Sequence, residues 1–149
     1  MKPECYNPET NQWTLIPRME VARGAMGAIT YKDQIFVMGG YSNSMCLSDV
    51  EVYNPASMTW RMVANMTNSC WSFGVALLEK QLYVVGGVEA EDVYMSAEWR
   101  YDVENNQGNV VEDLAVPHGP ITCCVVEQLP HYASFTIHET GTEIKFNLL

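Results

Sequence analysis

An apolar run closed by two glycines occurs twice in this chain, as Gln34-Ile35-Phe36-Val37-Met38-Gly39-Gly40 and, 47 residues later, as Gln81-Leu82-Tyr83-Val84-Val85-Gly86-Gly87. The same offset carries Tyr6 and Trp13 onto Tyr53 and Trp60, Met19 onto Met66 and Gly27 onto Gly74. It also carries Glu4-Cys5-Tyr6-Asn7-Pro8 onto Glu51-Val52-Tyr53-Asn54-Pro55, so the sequence enters part-way through a unit. Matches spread over a whole period identify an internal repeat. A period near fifty with an apolar-Gly-Gly signature is that of propeller blades.

Each unit offers four short strands, at 26–31, 34–38, 49–54 and 58–63 and again at 73–78, 81–85, 96–101 and 107–112. The first two of each set are joined by two polar residues, Lys32-Asp33 or Glu79-Lys80, as in a tight hairpin. No stretch keeps a helical period over three turns, so the expected fold is all-β. The diglycines Gly39-Gly40 and Gly86-Gly87 end the second strand where the chain turns at the crowded centre of a radial array. Only residues without a β-carbon combine positive φ with close backbone approach there. The Tyr–Trp pairs Tyr6/Trp13 and Tyr53/Trp60 fall on the outer two strands, where large rings can fill the space between neighbouring blades.

The combination of apolar-Gly-Gly, Glu-x-Tyr-Asn-Pro and Tyr-x6-Trp, repeated in register, resembles the kelch repeat over residues 4 to about 126. The resemblance implies a partial kelch β-propeller with two complete four-stranded blades, part-blades at both ends and an unclosed ring. Residues 1–15 would end a preceding blade, 16–63 and 64–112 would be blades, and 113–130 would hold a candidate ring-closing strand. Residues 131–149 match nothing in the repeat. The kelch arginine after the opening Met is Arg23 in the first unit, but Cys70 and then His118 take its place. The second unit also has Gly108 where Trp should follow Tyr101, and Glu98-Trp99-Arg100-Tyr101 is one residue longer than Glu51-Val52-Tyr53, which predicts a bulge or a weakened blade. An offset of 95 places 121–126 on a first strand, and its Thr122-Cys123-Cys124-Val125-Val126 run is similar to the strand that closes the ring in kelch-like relatives.

Composition narrows the function. With 18 acidic against 8 basic residues, the net charge of −10 opposes binding to a phosphate backbone, which needs Lys and Arg to displace counterions; a neutral or basic protein partner fits better. The apolar runs are too short to cross a bilayer and the start has no signal-peptide core, so a cytoplasmic protein is expected. Five cysteines without Cys-x-x-Cys spacing read as reduced thiols, with no metal or cofactor site. No nucleophile elbow, phosphate-cradling loop or histidine pair at ligand spacing is present, so no catalytic residue is expected.

Strands committed to packing leave function to loops. In kelch-like relatives the binding face is built from loops after the diglycine, here Tyr41–Ser48 and Val88–Met95, and from blade-joining loops, here Ile16–Ala25 and Val63–Ser72. The candidate partner-binding residues are Arg23, Tyr41, Asn43, Ser44 and Trp71, with Glu89, Glu91 and Asp92 as an acidic rim for a basic segment. Kelch-like proteins typically recruit a substrate to a cullin-based ubiquitin ligase through a separate N-terminal region. Only three residues precede Glu4, so the expectation is a chain that lacks that region, a partial gene product whose open sheet edges favour self-association. The resemblance also leaves open an actin-binding role.

Overall fold

The computed structural model describes residues 3–90, 93–125, 135–139 and 142–146. Among them there is no α-helix, and hence no helix long and apolar enough to cross a membrane. Strands β1 (Glu4–Asn7) and β2 (Gln12–Leu15) form a two-stranded sheet. Strands β3 (Gly27–Tyr31) and β4 (Gln34–Met38) lead, through a small hairpin of β5 (Tyr41–Ser42) and β6 (Met45–Cys46), to β7 (Val50–Asn54) and β8 (Thr59–Met62). The four longer strands pair in the order β3-β4-β7-β8. The second unit repeats this as β9 (Gly74–Leu78), β10 (Gln81–Val85), β11 (Met95–Asp102) and β12 (Gln107–His118), an antiparallel meander of four. These are two blades of a partial propeller. A last hairpin, β13 (Phe135–Glu139) and β14 (Thr142–Phe146), lies in the region that the repeat does not reach.

Burial follows the radial plan. The middle strands supply the core, with Phe36, Met38, Val50, Val52, Leu82, Val84, Trp99 and Tyr101 packed together with Met66, Cys70 and Phe73 from the linker that leads into β9. The β3–β4 and β9–β10 turns place Lys32, Asp33, Glu79 and Lys80 at positive φ, the backbone of a two-residue turn that follows the right-handed strand twist.

The recurring sequence motifs now have physical roles. Tyr6 and Trp13, like Tyr53 and Trp60, are directly opposite across an antiparallel pair, with ring centroids 5.1 and 5.0 Å apart. The Asn of Glu-x-Tyr-Asn-Pro holds the connecting turn. Asn7 Oδ1 accepts from the Glu9 and Thr10 amides, Asn54 Oδ1 from Ala56 and Ser57, and in the second unit Asp102 Oδ1 from Glu104 and Asn105.

The second unit carries the irregularity expected of it, on the outer side of β11. The β10–β11 ladder is unbroken from Gln81↔Asp102 to Val85↔Glu98, so the extra residue at Glu98–Tyr101 makes no bulge there. The irregularities lie in β11–β12, where Ala97↔Asp113 is followed by Trp99↔Val110 and the surplus residues sit on β12. The ladder puts Trp99 opposite Val84, the place that Glu51 holds opposite Val37. Trp99 stacks on Tyr101 at 5.5 Å and 11°, and it covers Gly108, the glycine that stands where Trp60 stands in the first unit. A β-carbon on Gly108 would lie 2.3 Å from Trp99 Cζ2. Gly108→Trp, which restores the repeat pattern, is therefore expected to destabilise by about 1–3 kcal/mol through overpacking, read as a lower denaturant midpoint.

Residues 113–118 belong to β12. Residues 121–125 are in no assigned strand; they lie against β9 much as β9 lies against β3. The Ser72 amide donates to Ala25 O, and the Ile121 amide, just after Pro120, donates to Ser72 O. A β-carbon on Gly27 would meet Phe73 and Val75, and one on Gly74 would meet Cys123. Ring closure by this segment is a proposal; Val126 lies outside the described residues.

Candidate functional site

The loops that follow the diglycines and those that join the blades meet on one face, fixed by main-chain hydrogen bonds. Gly24 and Tyr41 exchange amide-to-carbonyl bonds of 3.0 and 2.8 Å, and Trp71 and Val88 do the same at 3.0 and 2.9 Å. Gly40 N donates to Cys70 O, Leu47 N to Gly40 O, Cys70 N to Leu47 O and Met66 N to Ser48 O. The main chain of each loop is thus tied to its neighbour before any partner arrives.

Four of the expected recognition residues cluster there. Asn43 and Ser44, at φ 48° and 64°, form the exposed tip of the β5–β6 hairpin. Tyr41 at its base is 45% exposed and its ring lies 6.1 Å from that of half-buried Trp71, which joins the loops of the two blades. Met45 on the same hairpin, 62% exposed, and Tyr94, whose main chain bridges Val88, add apolar surface that sequence reading did not single out. Exposed Met and Tyr in post-diglycine loops were the signal available for them. Aromatic and Met side chains on a preorganised surface are what protein interfaces use at their centres.

The acidic rim is only partly described. Glu89 is half-buried and its Oε1 accepts from Asn68 Nδ2 at 2.7 Å, while Glu91 and Asp92 lie outside the described residues.

Arg23 requires a correction. Its side chain has no exposed area and is held inside the first blade: Nη2 donates to Glu51 Oε1 at 2.6 Å, Nη1 to the carbonyls of Gly39 and Asp49, and Nε to Val21 O. Glu51, equally buried, also accepts from the amides of Glu20 and Val21. A charge can be buried only when paired and hydrogen-bonded, and here both ions bind main chain as well as each other. Arg23 braces the loops instead of facing a partner.

Cys70 occupies the corresponding place in the second blade. Burial, with Glu89 and Cys46 nearby, pushes its thiol up to about 12 from an ordinary 9.0. The unfolded thiol ionises near pH 9 and the folded one only near 12. The contribution is therefore complete below pH 9 and is lost as pH climbs towards 12, so denaturant midpoints should fall over that window. In native protein at pH 8, a maleimide is expected to modify the exposed Cys5 and Cys124 and to spare Cys70 until the fold opens, as peptide mass mapping would show.

Among the described residues, no three or more His, Cys, Asp or Glu side chains are grouped to hold a metal ion. Residues 2–20 and 22–67 match the Kelch motif. The chain is similar to Kelch-like protein 28 of Mus musculus, 39% identical over 44 residues, which is 30% of this chain and 8% of that protein. It is 40% identical over 52 residues to Kelch-like protein 15 of Homo sapiens, covering 31% of this chain and 9% of that one. It is also 37% identical over 49 residues to Spermatocyte protein spe-26 of Caenorhabditis elegans, covering 33% and 9%. Each match thus spans less than a tenth of its relative's length.

Proposed function

We propose that this chain is a protein-interaction module whose partner docks on the loop face around Tyr41, Asn43, Ser44, Trp71 and Glu89. The carrying observation is the Tyr41–Trp71 ring contact, which couples two blades' loops at a surface already locked by main-chain bonds. The Kelch motif and the kelch-like relatives support the interaction reading. The finer proposal is the substrate-recognition propeller of a cullin-based ubiquitin ligase adaptor in the cytoplasm, with the cullin held by a separate region. The Thr122–Val126 run resembles the end of kelch-like protein ten, but the relatives named above are other members, so the proposal stays at the level of kelch-like proteins. No catalytic role, metal, cofactor, nucleic acid or membrane is assigned.

The test is comparative affinity purification of the wild-type chain and of Tyr41→Ala/Met45→Ala, both side chains being exposed. A genuine partner should be recovered about tenfold less by the variant, with an unchanged melting temperature. Equal recovery of every partner would remove the loop face from consideration. Cosedimentation with actin filaments would favour the cytoskeletal alternative. A third reading, self-association through exposed sheet edges, predicts concentration-dependent oligomers in size-exclusion chromatography and no partner sensitive to the loop variant.

A further inference from the structure

The fold sorts its methionines by environment. Met38, Met66 and Met95 are buried in the core, whereas Met26, Met45, Met58 and Met62 are exposed. Met45, at 62%, is the most open methionine among the described residues, and it stands on the β5–β6 hairpin of the loop face. The hairpin register sets it opposite Ser42, one pair beyond Tyr41 and Cys46. Met58, 51% exposed, lies in the β7–β8 turn, at the other end of the same blade. Two thioethers of similar openness thus occupy opposite ends of one four-stranded sheet, and only Met45 belongs to the surface assigned to a partner.

Oxidation reaches a thioether according to its access to solvent. The sulfur attacks one oxygen of hydrogen peroxide, the O–O bond breaks as the S–O bond forms, and the other oxygen leaves as water with the released proton. Sulfur gives up two electrons and the peroxide is reduced. The product is a polar, chiral sulfoxide. A flexible Met makes apolar contacts at an interface, and burying the new S–O group there without a donor is unfavourable.

We propose that Met45 is an oxidation site whose sulfoxide releases the partner of the loop face, with hydrogen peroxide as the oxidant. This deepens the loop-face reading and rests on it. In the test the chain alone is treated with peroxide, catalase ends the reaction, and dithiothreitol reverses oxidation of exposed Cys5 and Cys124 before the partner is added. Peptide mass mapping should find sulfoxide forming at Met45 and Met58 about tenfold faster, or more, than at Met38, Met66 or Met95. The partner that Tyr41→Ala/Met45→Ala loses should be recovered about tenfold less on the oxidised chain, and methionine sulfoxide reductases A and B together should restore it. Met58→Leu should leave that loss in place, whereas recovery on Met45→Leu should not respond to peroxide. Slow oxidation of Met45, undiminished recovery with Met45 fully converted, or a peroxide response that persists in Met45→Leu would each overturn the proposal. If it fails while Tyr41→Ala/Met45→Ala still loses its partner, the loop-face reading stands without it; if no partner depends on that pair, both fall.

Discussion

Gly40→Ala is expected to lower the stability of the chain by about 3 kcal/mol or more, combining backbone strain with overpacking. At φ 99° the residue lies where L side chains are strained, and a β-carbon would fall 2.6 Å from Gly24 O and 3.0 Å from Met26 Cβ. Neither neighbour can yield easily. Gly24 O is the acceptor for the Tyr41 amide, so moving it breaks the tie between the post-diglycine loop and the linker. Gly87→Ala repeats the experiment in the second blade, where φ is 107° and the carbon would lie 2.8 Å from Phe73 Cβ and 3.0 Å from Trp71 O. Gly24→Ala is the control, since nothing lies within 4 Å of a carbon added there. Chemical denaturation should rank both diglycine variants far below this control. Equal midpoints for Gly40→Ala and Gly24→Ala would show that the diglycine is not needed for close approach.

The same positions explain how far the sequence could be read. Strand placement was legible because a 47-residue offset aligns not only apolar runs but the turn residues between them; Lys32-Asp33 and Glu79-Lys80 end up in the same backbone geometry. The Tyr-x6-Trp spacing was legible as an outer-strand feature, and the ladder shows it to be a directly opposed pair. What could not be read was direction. Arg23 lies in a linker on the loop face, and polar linker residues usually point to solvent, yet a glutamate 28 positions on turns it inward. Nothing local announces that partnership, because it is made between a loop and a central strand. The β5–β6 hairpin was equally hidden, since strands of two residues carry no periodicity. Trp99 was misaligned for a third reason. Matching Glu98 to Glu51 by residue type forced an extra residue into β11, whereas the β10–β11 ladder keeps pairing continuous, leaves the irregularity to the β12 side and lets the residue type change. Hydrogen-bond register outweighs identity when the two conflict, because a slip by one residue would turn every β11 side chain to the opposite face.

That exchange of residue types also makes the second large prediction. Arg23→Cys alone should cost about 3–5 kcal/mol, because Glu51 would remain buried without its cation, and the carbonyls of Gly39 and Asp49 would each lose a donor. Glu51→Trp alone should be similarly damaging, since the new ring would compete for the space that Trp60 fills opposite Tyr53. The second blade contains Cys70, Trp99 and Gly108 at the three corresponding places, so the changes are coupled: the arginine becomes dispensable once the carboxylate is gone, and the new tryptophan fits once the outer-strand tryptophan has become glycine. Arg23→Cys/Glu51→Trp/Trp60→Gly should therefore recover most of what its single variants lose. It should remain below wild type, because the Trp60 Nε1 bond to Pro17 O disappears and the Gly39 and Asp49 carbonyls and the Glu20 and Val21 amides lose their side-chain partners. Interaction energies among residues in contact run to about 0.5–3 kcal/mol, and urea midpoints for the three singles, the Arg23/Glu51 double and the triple would measure them. Strict additivity, with the triple as unstable as the sum of its parts, would mean that the two blades reached their cores independently and that Trp99 does not stand in for the Arg23–Glu51 pair.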